Sequence, residues 1–273
     1  DSQLYKLRKS RNVDAASRMY RWLTNQQPDV VVIPNGSILE FGVMFEVARF
    51  LDIRTITYEF GEQNDRIWMA QDGDAMAQDT GDLWKQRGDI PLTEEEQTRI
   101  RALFEARQGA DVWENFSRQW QGEPTKGGQA VRSKLRLDDR PLVLIPTNVL
   151  GDSLTLGRQI ITPTMTDWLR RTIEIFRDKP DFQLVIRVHP GEAGSWGPSV
   201  YDILRESYPS LPENVHLLPA DADVNTYDLV DAADIGLVYT TTVGLEMVMS
   251  GRPVIVTGKT HYRSRGFTYD PGT

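Results

Sequence analysis

The sequence predicts an α/β protein built from two Rossmann-like domains, the second a doubly wound parallel sheet. Three observations carry the prediction. Short apolar runs bounded by turn residues alternate with amphipathic stretches, as a chain of strands joined by crossover helices must. The 273 residues are enough for one large domain or for two of roughly 130 residues each. A content of 40% hydrophobic and 26% charged residues is that of an ordinary globular chain with a sizeable core.

Taken in order, Val30 to Ile33 reads as a buried strand, Ile38 to Leu51 as a helix with apolar residues at helical spacing, and Thr55 to Tyr58 as the next strand. From about Asp79 to Asp139 the chain turns charged and helical, most clearly over Thr93 to Gln108, and the polar stretch Gln121 to Gly128 is the best linker candidate. The alternation then resumes more sharply. Leu142 to Ile145, Leu184 to Val188, Val215 to Leu218, Ile235 to Tyr239 and Val254 to Val256 are five strand candidates. Between them lie helical stretches at Thr166 to Arg177, Ser199 to Ser207, Thr226 to Ala232 and Val243 to Ser250. The expected domains are therefore 1–135, with a helical insertion, and 136–273. Two strands are too few for a complete N-terminal sheet, there is no initiator Met, and the chain stops just after a patterned segment. The N-terminal domain is accordingly expected to be partial and the chain to be a fragment of a longer protein.

Charge and composition narrow the function. A formal charge of −8 argues against nucleic acid as a partner, because backbone binding needs a broad basic stripe. The absence of Cys removes disulfides, thiolate chemistry and Cys-ligated zinc, and fits the cytoplasm. No apolar run reaches the roughly 18 residues of a membrane span. One feature runs against the overall charge: from Met247 to Tyr269 there is no Asp or Glu, while Arg252, Lys259, His261, Arg263 and Arg265 all fall there. Such an island suggests a site for a small anion.

In doubly wound sheets ligands bind outside the carboxyl ends of the strands, so three loops matter. The first, Pro146 to Ser153, offers the amide of Asn148, the carboxylate of Asp152, the hydroxyl of Ser153 and Gly151, where backbone can approach a ligand. The second carries Arg187 and His189, with Pro190 fixing the chain direction and the imidazole at the mouth of the sheet. The third, Tyr239 to Glu246, sets Thr241, Thr242 and Gly244 at a helix start, where hydroxyls and free N–H groups can hold an anion. Glu246 there is either a helix-dipole charge or an acceptor for vicinal ribose hydroxyls. Lys259 and Arg263, four positions apart, could face a phosphate, and Tyr262 could stack a base or sugar face. Asp72-Gly73-Asp74 has the spacing of a metal-holding pair but the composition of an exposed turn, and the three His lack metal-ligand spacing, so no metal site and no cofactor are expected. Neither Gly-x-Gly-x-x-Gly nor a Walker-type loop occurs.

The ordered set Asn148…Gly151-Asp152-Ser153, Arg187-Val188-His189-Pro190, Asp231-Ala232-Ala233-Asp234, Thr241-Thr242-Val243-Gly244-Leu245-Glu246, Gly251-Arg252-Pro253-Val254 and Lys259…Tyr262…Gly266-Phe267-Thr268 resembles the capsule polysaccharide synthesis family. The resemblance spans about Pro141 to Thr268 and is faint over Asp29 to Trp84, where it rests on Asn35-Gly36 and Glu59-Phe60-Gly61. It implies a bacterial glycosyltransferase of the two-Rossmann-domain (GT-B) type, retaining and metal-independent. The implied donor is a nucleotide-activated sugar, CMP-activated 3-deoxy-manno-octulosonic acid (CMP-Kdo) in the best-known members, and the acceptor a glycan or glycolipid. The implied setting is the cytoplasm, at the inner face of the membrane beside assembly machinery. It further implies Asp152, His189 and Glu246 as the catalytic set. Asn148, Ser153, Arg187, Thr241, Thr242, Gly244, Lys259, Tyr262 and Arg263 would bind the donor. Asn35, Gly36 and Glu59 would lie on the acceptor side. Two departures bear on donor identity: Thr147-Asn148 stands where the family has Gln, and Thr where it has Ser before the helix. A nucleotide-sugar 2-epimerase, a polyol-phosphate transferase and a non-catalytic scaffold are the alternatives on the same plan.

Overall fold

A computed structural model describes residues 2–61, 66–109, 124–194 and 197–272. It forms two compact units, Asp1–Asp79 and Thr80–Thr273. The first holds helix α1 (Gln3–Gln26), strand β1 (Val30–Pro34), helix α2 (Leu39–Phe50) and strands β2 (Arg54–Phe60) and β3 (Ile67–Gln71). β1 and β2 pair in parallel around α2, as the strand, helix, strand pattern requires, with Val31 opposite Thr55 and Ile33 opposite Thr57. β3 then joins β2 antiparallel, and this third strand was not expected. Its alternate residues are only partly covered, so five residues with a weak apolar face carry little period-two signal. α1 also escaped the sequence reading: Leu23 is its one buried residue, and it is polar on most of its surface. Its start is set by Ser2, whose hydroxyl accepts from the Tyr5 amide at 3.2 Å. A small core of Leu23, Val31, Ile33, Phe45 and Ala48 lies between the helices and one face of the sheet.

The second unit begins with α3 (Gly81–Arg87), α4 (Glu94–Gly109) and α5 (Gly128–Leu135). The compact units thus divide after Asp79, whereas the expected domain boundary lies at 135; α5, assigned by sequence to the first domain, packs on α8 (Thr226–Ala232). The expected linker Gln121 to Gly128 lies partly outside the described residues, and its last residue opens α5.

The rest is a five-stranded parallel sheet of β4 (Leu142–Pro146), β5 (Gln183–Arg187), β6 (Val215–Leu218), β7 (Ile235–Val238) and β8 (Val254–Val256), in the spatial order β6-β5-β4-β7-β8. All five residues of β4 and of β5 are buried, as they must be in a sheet covered on both faces. Val143 and Ile145 meet α6 (Met165–Arg177) and α7 (Val200–Ser207) through Met165, Trp168, Leu169, Val200 and Leu204. Leu142 and Leu144 face the other side, against Val131 of α5, Leu229 of α8 and Met247 of α9 (Val243–Met249). Two capped starts aim the first of these layers: the Thr164 hydroxyl accepts from the Asp167 amide at 3.0 Å, and Ser199 and Asp202 form a reciprocal capping box. The sheet is doubly wound, and its switch point lies between β4 and β7.

Candidate functional site

At the switch point two crossover connections leave in opposite directions, which opens a crevice above the carboxyl ends of β4 and β7. The loops there are fastened together. The Oδ1 atom of Asn148, after β4, accepts from both the amide (3.3 Å) and the hydroxyl (3.0 Å) of Thr240, after β7. Thr147 ties the same loop to the end of β5: its amide donates to the Arg187 carbonyl at 2.9 Å and its hydroxyl accepts from the His189 amide at 3.1 Å. Glu192, buried, completes the frame by accepting from the Leu150 amide at 2.7 Å and the Val200 amide at 2.9 Å. Neither Thr147 nor Glu192 was among the expected site residues. A buried carboxylate in a Pro-Gly turn leaves no pattern in sequence.

Asp152 and His189 are brought together in this frame, near enough for the carboxylate charge to act on the imidazole. Gly151 supplies the left-handed turn (φ 77°) before Asp152, with open space beside its Cα. One Asp152 oxygen accepts from the Leu154 amide at 2.7 Å, and Ser153 follows, partly exposed. His189 Nδ1 accepts from the Gly191 amide at 3.0 Å, so the neutral ring carries its proton on Nε2. Burial pushes the imidazole below its ordinary value; Asp152 opposes that shift and Arg187 adds to it. The ring is therefore a neutral N–H donor. Arg187 is buried and donates through Nη1 to the carbonyls of Pro219 and Ala220, the latter at 3.3 Å. Its Nε has no partner among the described residues, and the side chain lines a cleft of about 350 Å³ with Lys126, Pro190, Asp221, Thr226 and Asp228.

The third loop differs from expectation in several places. α9 has seven residues and its N-cap Thr242 makes no side-chain cap, so helix-terminus attraction for an anion is small. What the loop offers instead is the exposed Thr242 hydroxyl together with the Thr241 and Thr242 amides, neither of which has a partner among the described residues. The Thr241 hydroxyl is occupied, accepting from the Val243 amide at 3.3 Å. Gly244 makes room for Tyr262 rather than for a ligand, since a Cβ there would collide with the Tyr262 hydroxyl. Tyr262 is 2% exposed, inside the core, and donates to the Thr241 carbonyl at 2.6 Å. It shapes the loop from below and has no face for stacking.

The basic island is largely committed as well. Arg263 donates to the carbonyls of Val256 and Pro271, the latter at 2.5 Å, and Arg252 to the Asp231 carbonyl at 2.6 Å. Lys259 is the member left exposed with no side-chain partner among the described residues. Its amide donates at 2.9 Å to the carbonyl of Arg158, a residue of the long loop after β4 that sequence reading missed. Arg158 and Arg265 both press on His261, whose value burial lowers first.

Glu246 is buried, and each of its oxygens has a partner. Its Oε2 accepts from the Tyr227 hydroxyl at 2.8 Å, and its Oε1 pairs with Arg107 of α4. Burial and the Glu246 charge together push the Tyr227 phenol far above its ordinary value, so it acts as a donor throughout the neutral range. Neither partner was foreseen, and a pairing across 139 residues gives no local signal.

In the first unit, Asn35, Gly36 and Glu59 meet at the carboxyl ends of β1 and β2. Asn35 Nδ2 donates to Glu59 at 2.7 Å while its Oδ1 accepts from the Ser37 hydroxyl (2.8 Å) and the Ile38 amide (3.2 Å). Gly36 (φ 91°) closes the turn where a Cβ would strike Thr57. The Asp72-Gly73-Asp74 turn uses its carboxylates on the Thr55 and Met76 amides, both at 2.8 Å.

A doubly wound sheet with a fastened loop pair, a neutral imidazole donor and a carboxylate at its switch point defines a Rossmann-like α/β protein. The family model described as "Capsule polysaccharide biosynthesis protein" matches residues 119–273, more than half of the chain, and the chain belongs to that family. Among solved structures it is similar to the Thermosulfurimonas dismutans KpsC β-Kdo 2,4 transferase (18% identity, 90% of this chain and 74% of that one, TM-score 0.56). It is also similar to the KpsC β-Kdo 2,7 transferase of the same organism (16% identity, 99% and 81% covered, TM-score 0.52). At these identities the likeness establishes the fold. No curated protein matches the chain. Among the described residues no helix is long and apolar enough to cross a membrane.

Proposed function

We propose that the chain is a glycosyltransferase of bacterial capsule polysaccharide assembly that takes a nucleotide-activated sugar, CMP-Kdo in the first instance, and passes it to a glycan or glycolipid acceptor without a metal ion. The observation that carries the reading is the Asn148–Thr240 clamp at the switch point, which sets Asp152 and a neutral His189 at the mouth of one crevice. Family membership and the Kdo transferase neighbours support it.

Glycosyl transfer builds negative charge on the leaving phosphate, and fixed donors aimed at that charge lower the barrier. His189 Nε2–H, the Thr242 hydroxyl with the Thr241 and Thr242 amides, and the Lys259 ammonium are the donors for it. Glu246 takes the ribose hydroxyls. Asp152 serves as nucleophile: a carboxylate oxygen bonds to the anomeric carbon as the carbon–oxygen bond to phosphate breaks, its electron pair leaving with the nucleotide. An acceptor hydroxyl then attacks the same carbon as the bond to the Asp152 carboxylate breaks, and its proton passes to the phosphate of the released nucleotide. Two inversions retain the configuration. Residues 136–273 take the donor, and the residues before them, with Asn35, Gly36 and Glu59, serve the acceptor, at the inner face of the membrane.

Calorimetric titration of CMP-Kdo against UDP-, GDP- and CDP-activated compounds, followed by product analysis, tests this. CMP-Kdo should bind, and Asp152→Ala should abolish transfer with donor affinity intact, while His189→Ala weakens the affinity. Normal turnover by Asp152→Ala would remove the nucleophile. Conversion of a sugar nucleotide without acceptor would make the protein an epimerase, and failure of every nucleotide to bind would leave a scaffold.

A further inference from the structure

The cleft beside Arg187 has no part in the proposed transfer steps. Its walls are Arg187 and Pro190 at the end of β5, the loop from Ala220 to Thr226 between β6 and α8, and the Val131 side of α5. Arg187 is only 4% exposed, and its Nη1 is occupied by the carbonyls of Pro219 and Ala220, while Nε and Nη2 donate to none of the described residues. A buried guanidinium with unused donors is costly, because those donors have given up water without a replacement. Asp221 lines the same cleft, exposed, with no hydrogen bond or ion pair to any described residue. Its charge nevertheless reaches the guanidinium and supports it against burial. A donor and an acceptor thus share one cavity without meeting, which suits a ligand that carries the complementary acceptor and donor on a single edge.

Charge balance narrows the ligand. Lys126, Lys134 and Arg187 are matched by Asp221, Asp223 and Asp228, and Lys134 already pairs with Asp223 at 2.6 Å. A cleft without net charge favours a neutral polar ring over a phosphate. A volume of about 350 Å³ has room for such a ring, and Val131, Pro190, Ala220 and Ala222 give it small apolar walls. Arg187 and Pro190 also flank His189 in the chain, the residue to which the donor's phosphate is assigned.

We infer that this cleft holds the base of the donor nucleotide and that Arg187 and Asp221 select cytosine, Arg187 donating from Nη2 to the adjacent O2 and N3 acceptors and Asp221 accepting from the exocyclic amine. This rests on the reading that the donor is CMP-activated. Uracil reverses the polarity at two positions of that edge. It sets a carbonyl oxygen against the carboxylate and an N–H against the guanidinium, and each mismatch leaves a polar group unpaired.

The test is calorimetry on the whole chain with CMP, UMP and GMP, and with ribose 5-phosphate, which lacks the base. The wild type should prefer CMP to UMP by about tenfold or more. Asp221→Asn, at an exposed position, offers an NH₂ group to the uracil carbonyl and should bring that preference to about threefold or less. Arg187→Gln should shrink the advantage of CMP over ribose 5-phosphate by about tenfold, a ratio that weakened phosphate contacts leave unchanged. If Arg187→Gln fails to fold, Asp221→Asn decides the matter alone. A wild type that binds no nucleotide, or that prefers UMP or GMP, removes the CMP reading itself. A preference for CMP that survives intact in Asp221→Asn overturns the selecting pair and leaves that reading in place.

Discussion

Replacing Glu192 with Gln changes one atom's chemistry and should unsettle the whole crevice. The carboxylate is 5% exposed and accepts two backbone amides, Leu150 at 2.7 Å and Val200 at 2.9 Å, so it joins the loop that carries Asp152 to the start of α7. A glutamine keeps the shape but puts an NH₂ group where one of those amides needs an acceptor. One charge-assisted bond is lost, the other is weakened, and a buried N–H faces a donor, for a total of about 3 kcal/mol. Spread over a unit of this size, that lowers the melting temperature by roughly 6–12 °C. Function should suffer differently from stability. Asp152 lies two residues beyond Leu150, and a reacting group misplaced by about 1 Å can cost about a hundredfold in rate. Scanning calorimetry with a single-turnover transfer assay should therefore show a large loss of rate beside a nucleotide affinity changed by less than about threefold. A variant melting within about 1 °C of wild type and transferring normally would refute the claim that Glu192 holds the loop.

Two further outcomes follow from the charges. Burial holds His189, His216 and His261 all below the ordinary 6.5, so the unfolded chain binds protons that the folded chain refuses. The stability tied to these neutral rings is complete above pH 6.5 and is lost as pH falls through their folded-state values; the melting temperature should drop on going from about pH 7.5 to about pH 5.5, and a flat or rising profile would contradict the burial of the three rings. The basic island should split into two kinds of residue. Arg263→Ala should cost about 1–2 kcal/mol of stability through the carbonyls it leaves unpaired, with nucleotide affinity unchanged, whereas Lys259→Ala should spare stability and weaken nucleotide binding, most at low salt. Parallel melting and titration experiments check both, and the opposite assignment of effects would show the island to be misread.

Much of the second unit was legible because a parallel sheet covered on both faces writes itself as apolar runs: β4 and β5 differ from the sequence reading by a residue at each end at most. α8 begins and ends where its pattern did. The elements that escaped are those with little to bury. α1 has a single buried residue, and the alternation in β3 is only partly covered. The gathering of the strand-end loops was legible to a similar degree. Asn148, Asp152 and His189 meet because strand-end loops must gather at a switch point, whatever their residues. Tyr262 and Arg263 were read as ligand-facing from charge and aromaticity, and both turn inward, one to the Thr241 carbonyl and the other to the carbonyls of Val256 and Pro271.

The order of strands and helices around the five-stranded sheet, the family and the three loops were determined by the sequence itself, because hydrophobic periodicity and turn residues act over a few positions of chain. Which cations remain available, and what holds each acid in place, was decided only by the tertiary structure. Lys259 stays exposed while its neighbours cap carbonyls, and Glu246 finds Arg107 across 139 residues. Satisfying a buried polar group is a matter of distances between elements, and those distances have no counterpart in sequence spacing.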